Sequence, residues 1–567
     1  MKNMTKRIIA VLVSFIMLLP NMPSYAEEND DITNEMETSK FEIESEIEYD
    51  ESDLESETEI ESTNEIEGLK ENSNQAEEAE IKVVSYDIGN TSFNAALSIS
   101  TDTTYTDSTT TKNFYKFALE NDGYINITLG KGYIDGGRYW HVEIYDEFRN
   151  YIMGESFSGG NTSIEQSYNV GLPMGTYFLC ISSDVSGEYN FSVNYTQSSI
   201  WEKELNDSFT SANDISVNTK YYGSLREDWD KDYYVFSLPD DGYINVEFGK
   251  EYEDDSKRSW SVYLYNENMV QVLERNFSCQ NTKIEKSCNV GLAAGTYYIK
   301  ITETTSTMTY NFKINYTKSS VWEKEFNDFY NKANVIQPGT KYYGTIQTDH
   351  NDDWYTFILS SDGYINLEFG KEYEKSGTGW DVYLYNSSKS QVLKRSYYSG
   401  NTLVETSCNI GLPAGQYYLK ICRMEDAQWN YWTDVTYNFK INYVQSLVWE
   451  KEFNDSFDTA NIVSMDTEYK GSIVQYNDYD FYKITIPQKL DIDIKFENDC
   501  GRTHEGWEVY IYNSNYEQIA SSKTYCSENA LHSIISGEID KGLYYLKVEH
   551  AKSNPYYKGS CDATYTF

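Results

Sequence analysis

A unit of about 120 residues is written four times in this chain, and no other feature restricts the fold as much. GYIN begins at Gly123, Gly242 and Gly363. NVGLPMGTYF at 169–178 returns as NVGLAAGTYY at 289–298 and NIGLPAGQYY at 409–418. YNFSVNY at 189–195 returns as YNFKINY at 310–316 and 437–443. A weaker fourth copy has WEVYIYN at 507–513, KGLYYLKV at 541–548 and TYTF at its end. Units of this size can each bury their own core, so they read as separate domains and not as turns of a solenoid. Their expected boundaries are 81–200, 201–321, 322–448 and 449–567. The last copy stops part-way through its final strand phrase, which predicts a short terminal strand or a truncated sequence.

The unit reads as all-β. In YNFKINY the residues Tyr310, Phe312, Ile314 and Tyr316 alternate with Asn311, Lys313 and Asn315. Period two buries one face of a strand and wets the other. GYINVEF alternates the same way through Ile244, Val246 and Phe248. Asp-Gly at 241–242 and Ala-Gly at 294–295 mark turns. Many short strands and no long amphipathic helix predict four tandem antiparallel β-sandwiches, jelly-roll-like.

The first 80 residues follow other rules. Lys2, Lys6 and Arg7, the apolar run Ile8 to Leu19 and Ser24-Tyr25-Ala26 make 1–26 an expected secretory signal. Residues 27–80 hold 23 Asp/Glu against two Lys, a charge of −21 within a chain total of −44. Such a block repels itself and lacks the apolar surface to fold, so it is expected to be a disordered acidic spacer. An acidic chain also argues against nucleic acid as a partner. No later segment is apolar enough for a membrane span. The chain is expected to be secreted or held at the cell surface. Eight Cys fall one, two, two and three to a unit, which is no disulfide framework, although Cys279 and Cys288 could pair.

One phrase occurs three times and not four. WEKELND at 201–207 returns as WEKEFND at 322–328 and 449–455. Glu202, Glu204 and Asn206 alternate, so an extended chain points them to one side, and Asp207 follows. A second acidic cluster lies about 25 residues on: Asp230 and Asp232, then Asn351 and Asp353, then Asp478 and Asp480. These are hard oxygen donors. They suit Ca²⁺, which takes six to eight oxygens, and not zinc or copper. Neither cluster suffices alone, and together they could hold one ion. The first unit is an internal control, since the corresponding positions carry Tyr86, Ile88, Asn90, Thr91 and Asn113. Both clusters are lost together in the copy that follows no folded unit, as a shared site predicts.

These motifs resemble the bacterial pre-peptidase C-terminal (PPC) domain, and within it the collagen-binding domains of clostridial collagenases. The resemblance rests on Glu-x-Glu-x-Asn-Asp followed by a strand and an Asp-aromatic-Tyr stretch. It covers three units well, and the first without its metal motif. It implies calcium ligands at Glu202, Glu204, Asn206, Asp207 and Asp232; at Glu323, Glu325, Asn327, Asp328 and Asp353; and at Glu450, Glu452, Asn454, Asp455 and Asp480. Asp230 and Asp478 join as further candidates. It implies also that the ion orders the linker entering each domain. The family's ligand-contacting aromatics match no named position here.

No HExxH, GxSxG or P-loop occurs, and the five His are scattered, so the chain reads as no enzyme. The 54 Tyr, including Tyr243, Tyr263 and Tyr298 on the wet strand phase, suit contact with an extracellular protein or polysaccharide. They suit equally the covering of a second sheet face. Two rival readings are a spacer or stalk with no ligand of its own, and an accessory subunit of a secreted protease. Trp201, Trp322 and Trp449 are expected at the domain interfaces.

Overall fold

The computed structural model describes residues 82–83 and 89–567, apart from 84–88, 110, 133–137, 227–228, 251–258, 279–283, 304–307, 348–350, 372–378, 399–403, 425–435, 475–477, 500–505, 526–531 and 551–563. The expected signal at 1–26, the acidic spacer at 27–80 and Cys279 lie outside the described residues.

Alternation of side chains produces the strands, and the strands pair into two facing sheets per repeat. In the second repeat one sheet has the order Asn213–Asp214, Asp232–Leu238, Gly295–Glu303, Ser259–Asn266, Gln271–Ser278. The other runs Lys220–Leu225, Met308–Lys318, Gly242–Lys250, Glu285–Lys286, with Val290–Leu292 also on Gly242–Lys250. The main pairings are antiparallel, and one short parallel contact joins Asn213–Asp214 to Tyr234 and Val235. The third repeat repeats this order strand for strand, and the first and fourth follow it closely. The chain is therefore an all-β array of sandwich-like units, and no α-helix occurs among the described residues.

The period-two reading locates the core. Tyr310, Phe312 and Ile314 are buried against Ile244, Val246 and Phe248 of the paired strand. Asn311 is buried as well, opposite Gly249, where no side chain competes for the space. Each repeat has its own apolar cluster, centred on Trp140, Trp260, Trp380 or Trp507. Burying such clusters at roughly 25 cal/mol per Å² is the main stabilising term. The last strand is short, Thr564–Thr566, against Met308–Lys318 in the second repeat.

Three core clusters reach across a repeat boundary. Leu205 packs on the first repeat's core, Phe326 on the second's and Phe453 on the third's. Each comes from the phrase that opens the following repeat.

Candidate metal centre

The opening phrase is an extended segment held on both sides. Towards its own repeat, Glu202 N donates to Tyr222 O at 2.9 Å, and Trp201 bridges in parallel with Tyr222. Towards the preceding repeat, Glu204 N donates to Gly171 O at 3.1 Å. The other two copies repeat this contact, Glu325 to Gly291 and Glu452 to Gly411, each at 3.1 Å. A β-carbon on Gly171, Gly291 or Gly411 would lie 2.1–2.2 Å from the incoming backbone carbonyl, so only glycine lets the segment dock. The peptide bonds Glu204–Leu205, Glu325–Phe326 and Glu452–Phe453 are cis.

Period two divides the segment's side chains between two tasks. Trp201, Lys203 and Leu205 face the preceding repeat. The Trp201 ring lies 4.5 Å from Tyr124, Lys203 pairs with Asp122 at 2.6 Å, and Leu205 enters the core. Trp322 lies 4.4 Å from Tyr243, with Lys324 on Asp241, and Trp449 lies 4.6 Å from Tyr364, with Lys451 on Asp362 at 2.5 Å. The expected interface position of the three Trp is what the structure has. Tyr243, expected on the wet phase, is the stacking partner of Trp322, while Tyr263 and Tyr298 are half-buried on the outer sheet face.

Glu202, Glu204 and Asn206 face the other way and are buried with Asp230 and Asp232. Their counterparts Glu323, Asn327 and Asp353, and Glu450, Glu452, Asn454, Asp478 and Asp480, are buried too, while Glu325 is partly so. In the second and fourth repeats one carboxylate oxygen from each of Glu202, Glu204 and Asp232, or Glu450, Glu452 and Asp480, lies within 4.8 Å of the other two. The two acidic clusters, separate in sequence, therefore meet in one place. Asp207, Asp328 and Asp455 sit at the rim, half-buried. Asp455 accepts from Tyr479 N at 3.3 Å, and Asp207 from Lys231 N at 3.4 Å. Asp230 and Asp478 have a structural contact as well, since each accepts from the backbone N–H four residues earlier, Arg226 at 2.8 Å and Val474 at 2.6 Å.

Two tyrosines from the strand phrases complete each centre. Tyr234 and Tyr310 share a hydroxyl contact of 2.7 Å, and Tyr310 donates to Asp232 at 2.5 Å. Tyr355 with Tyr437, and Tyr482 with Tyr565, do the same on Asp353 and Asp480. Ser224 donates its N–H and hydroxyl to Glu202 at 2.8 and 2.9 Å. Gly223, Gly344 and Gly471 make room, because a β-carbon there would stand 2.4–2.5 Å from a glutamate oxygen and from a tyrosine hydroxyl. Sequence reasoning on the acidic phrases missed these residues. The signal was available: a tyrosine on the buried phase of YNFKINY must find a partner for its hydroxyl.

Burial raises the carboxyls of Glu202, Asp230, Asp232, Glu323, Glu325, Asp353, Glu450, Glu452 and Asp480. Glu450 and Glu452 are pushed well above the usual carboxylate range, first by desolvation, then Glu450 by the charges of Asp480 and Glu452 and Glu452 by those of Asp478 and Asp480. Glu323 and Glu325 are raised the same way, burial first and Asp353 next. Glu202, Asp353 and Asp480 are raised to about 7, chiefly by burial. Such a set cannot all be charged in a low dielectric without a counter-cation. Glu452 Oε1 and both amide atoms of Asn327 are buried without a hydrogen-bond partner. Orphaned oxygens amid crowded carboxylates are what a hard divalent cation would satisfy.

The first repeat is built differently at the same place. Asn90 keeps the backbone contact, accepting from Phe114 N at 2.7 Å as Asn206 accepts from Tyr233 N. Asp107 stands at the position of Gly223. Its carboxylate takes Tyr115 OH at 2.6 Å and Asn113 Nδ2 at 3.3 Å. One side chain thus satisfies the tyrosine pair, and Tyr86 and Ile88 lie outside the described residues.

No protein-family model matches the chain. Over 229 residues it is 27% identical to collagenase ColT of Clostridium tetani, covering 40% of this chain and 22% of that one. Over 232 residues it is 25% identical to collagenase ColA of Clostridium perfringens, covering 40% and 20%. The chain is thus homologous to clostridial collagenases and spans about a fifth of the length of these curated relatives. Among solved structures, the pre-peptidase C-terminal domain of a collagenase from Bacillus anthracis is similar at 21% identity, over 18% of this chain and 94% of that one, with a TM-score of 0.16.

Proposed function

We propose that this chain is an exported, non-catalytic binding protein whose β-sandwiches are locked end to end by calcium, and that it attaches to an extracellular matrix protein or polysaccharide. One observation carries the calcium part: a single extended segment presents carboxylates to its own repeat and Trp, Lys and Leu or Phe to the preceding one. Bound calcium supplies positive charge and a demand for six to eight oxygens. Glu202, Glu204, Asn206, Asp207, Asp230 and Asp232 would hold it in the second repeat, with their counterparts in the third and fourth. Held in this way, the segment keeps its other face on the preceding repeat. With the ion removed, the carboxylates repel or take up protons, and the segment loosens from both repeats together. Extracellular sites of this kind bind at roughly 10⁻⁴–10⁻³ M, so they fill after export.

The binding part rests on homology to collagenases over two fifths of the chain, and on tyrosines left on the outer sheet faces. Tyr263 with Tyr265, and Tyr383 with Tyr385, pair at 6.3 and 6.1 Å across such faces. Four repeats in one chain would add avidity to weak single contacts. A rigid spacer is the second reading, favoured by the three keyed junctions. Capture of the full chain on collagen, mucin and polysaccharide beads separates the two. Retention on one support, lost at high salt or with free ligand, supports binding, and retention on none supports the spacer. Limited proteolysis with and without EGTA tests the calcium part. Equal cleavage of all three junctions in both conditions overturns it.

A further inference from the structure

Besides the loop residue, which is Asp230, Asn351 or Asp478, the three centres differ at a position two residues after the Ser or Thr that binds the first glutamate. It holds Arg226, Gln347 and Val474. In each repeat its backbone N–H donates to the loop side chain four residues on, Asp230, Asn351 or Asp478, so the three positions are equivalent.

Their side chains do different things. Arg226 is buried in the second centre, with its guanidinium on Glu204 and 3.9 Å from Asp230. Gln347 Nε2 donates to Glu325 at 3.1 Å, and Asn351 donates to Asp353 at 3.1 Å. Val474 offers no donor and packs on the third repeat's core. The second centre therefore has five carboxylates and a guanidinium. The third has four carboxylates and two amide donors. The fourth has five carboxylates, among them the buried Glu452 Oε1 that has no hydrogen-bond partner, and Val474 where the second has its guanidinium.

We propose that Arg226 is a tethered cation that takes the place of calcium in the second centre, so that the first junction holds without the ion while the other two depend on it. The inference rests on the calcium reading above. A buried guanidinium on Glu204 satisfies the charge that an ion would satisfy. A divalent ion entering beside it would meet like charge at short range, which weakens binding about tenfold or more relative to the fourth centre. The array then has one permanently fixed joint next to the repeat that lacks a centre, and two joints that answer to calcium. The third centre, whose amides contact the same carboxylates, falls between the extremes.

The test uses the full chain, freed of calcium with EGTA and titrated with CaCl₂ by calorimetry, with cleavage at each junction followed by mass spectrometry. Two ions should bind in the wild type, and EGTA should expose the segments at 322–328 and 449–455 but not 201–207. Arg226→Gln, which puts the third centre's residue at this position, should bind a third ion and make the first junction sensitive to EGTA. Three ions in the wild type, or a first junction that opens with the others, overturns the role of Arg226 and leaves the calcium reading standing. No ion bound and three insensitive junctions overturn both. If Arg226→Gln fails to fold, the wild-type ion count and cleavage pattern still decide.

Discussion

Trp322→Ala separates the two faces of the junction segment. The ring lies between Tyr243 of the preceding repeat at 4.4 Å and Tyr343 of its own at 5.9 Å, and it is half-buried. Truncating a fully buried Trp costs about 3–5 kcal/mol. Half burial, with two aromatic contacts of about 0.5–1.5 kcal/mol each, brings the expected loss to about 2 kcal/mol. The loss falls on docking of the segment, because each repeat keeps its own core. Two kcal/mol multiplies the open population about thirtyfold. Trypsin cleavage after Lys324 tracks that population when reclosing is faster than cleavage. The rate should therefore rise about thirtyfold, with calcium saturating and with EGTA alike, because Trp322 faces away from the carboxylates. Melting of the separate repeats should stay within about 1 °C of wild type. A rise under threefold, or one abolished by calcium, refutes the assignment of the two faces.

Further outcomes follow from the same geometry. Gly344→Ala places a β-carbon 2.4 Å from Tyr437 Oη and 2.5 Å from Glu323 Oε2, so it should abolish calcium protection of the second junction in the EGTA proteolysis comparison. Asn113→Asp puts a second carboxyl beside Asp107, now 3.3 Å from the amide, in a repeat without the opening phrase. It should lower the first repeat's stability at pH 8 by about 2 kcal/mol and bind no calcium, as thermal melts with and without the ion would report. Glu155 is raised to about 7 by burial, above its unfolded value of 4.5. The folded state then holds the proton more tightly between those values, so stability contributed by protonated Glu155 is lost as pH rises through 7. Glu155→Gln should therefore raise the melting temperature at pH 8 and leave it unchanged at pH 4.

Much of this was legible in the residues. Period two gave strands and core because a sandwich buries one face of every strand, whatever its neighbours. The candidate ligands could be chosen by chemistry alone, since clustered oxygen donors suit few ions. The alternation within WEKELND marked Glu202 and Glu204 as one face. It hid the second face, because what Trp201, Lys203 and Leu205 touch lies in another repeat. GYIN itself was readable as a strand and not as a dock. Its Tyr243 and the Asp241 before it receive Trp322 and Lys324 only when two repeats meet.

What the amino-acid order determined by itself is therefore the repeat, its strands and the oxygen-donor character of its acidic phrases. These depend on local periodicity and on donor type, and both survive without coordinates. The tertiary structure decided which groups converge. It brought Asp232 to Glu202, set Tyr310 over both, filled the first repeat's centre with Asp107 in place of Gly223, and placed Arg226 among the carboxylates of one centre in three. Convergence is a property of strand register and of the close approach that glycine allows. Residues tens of positions apart share a cavity only when sheets pair, and no reading of neighbours along the chain contains that distance.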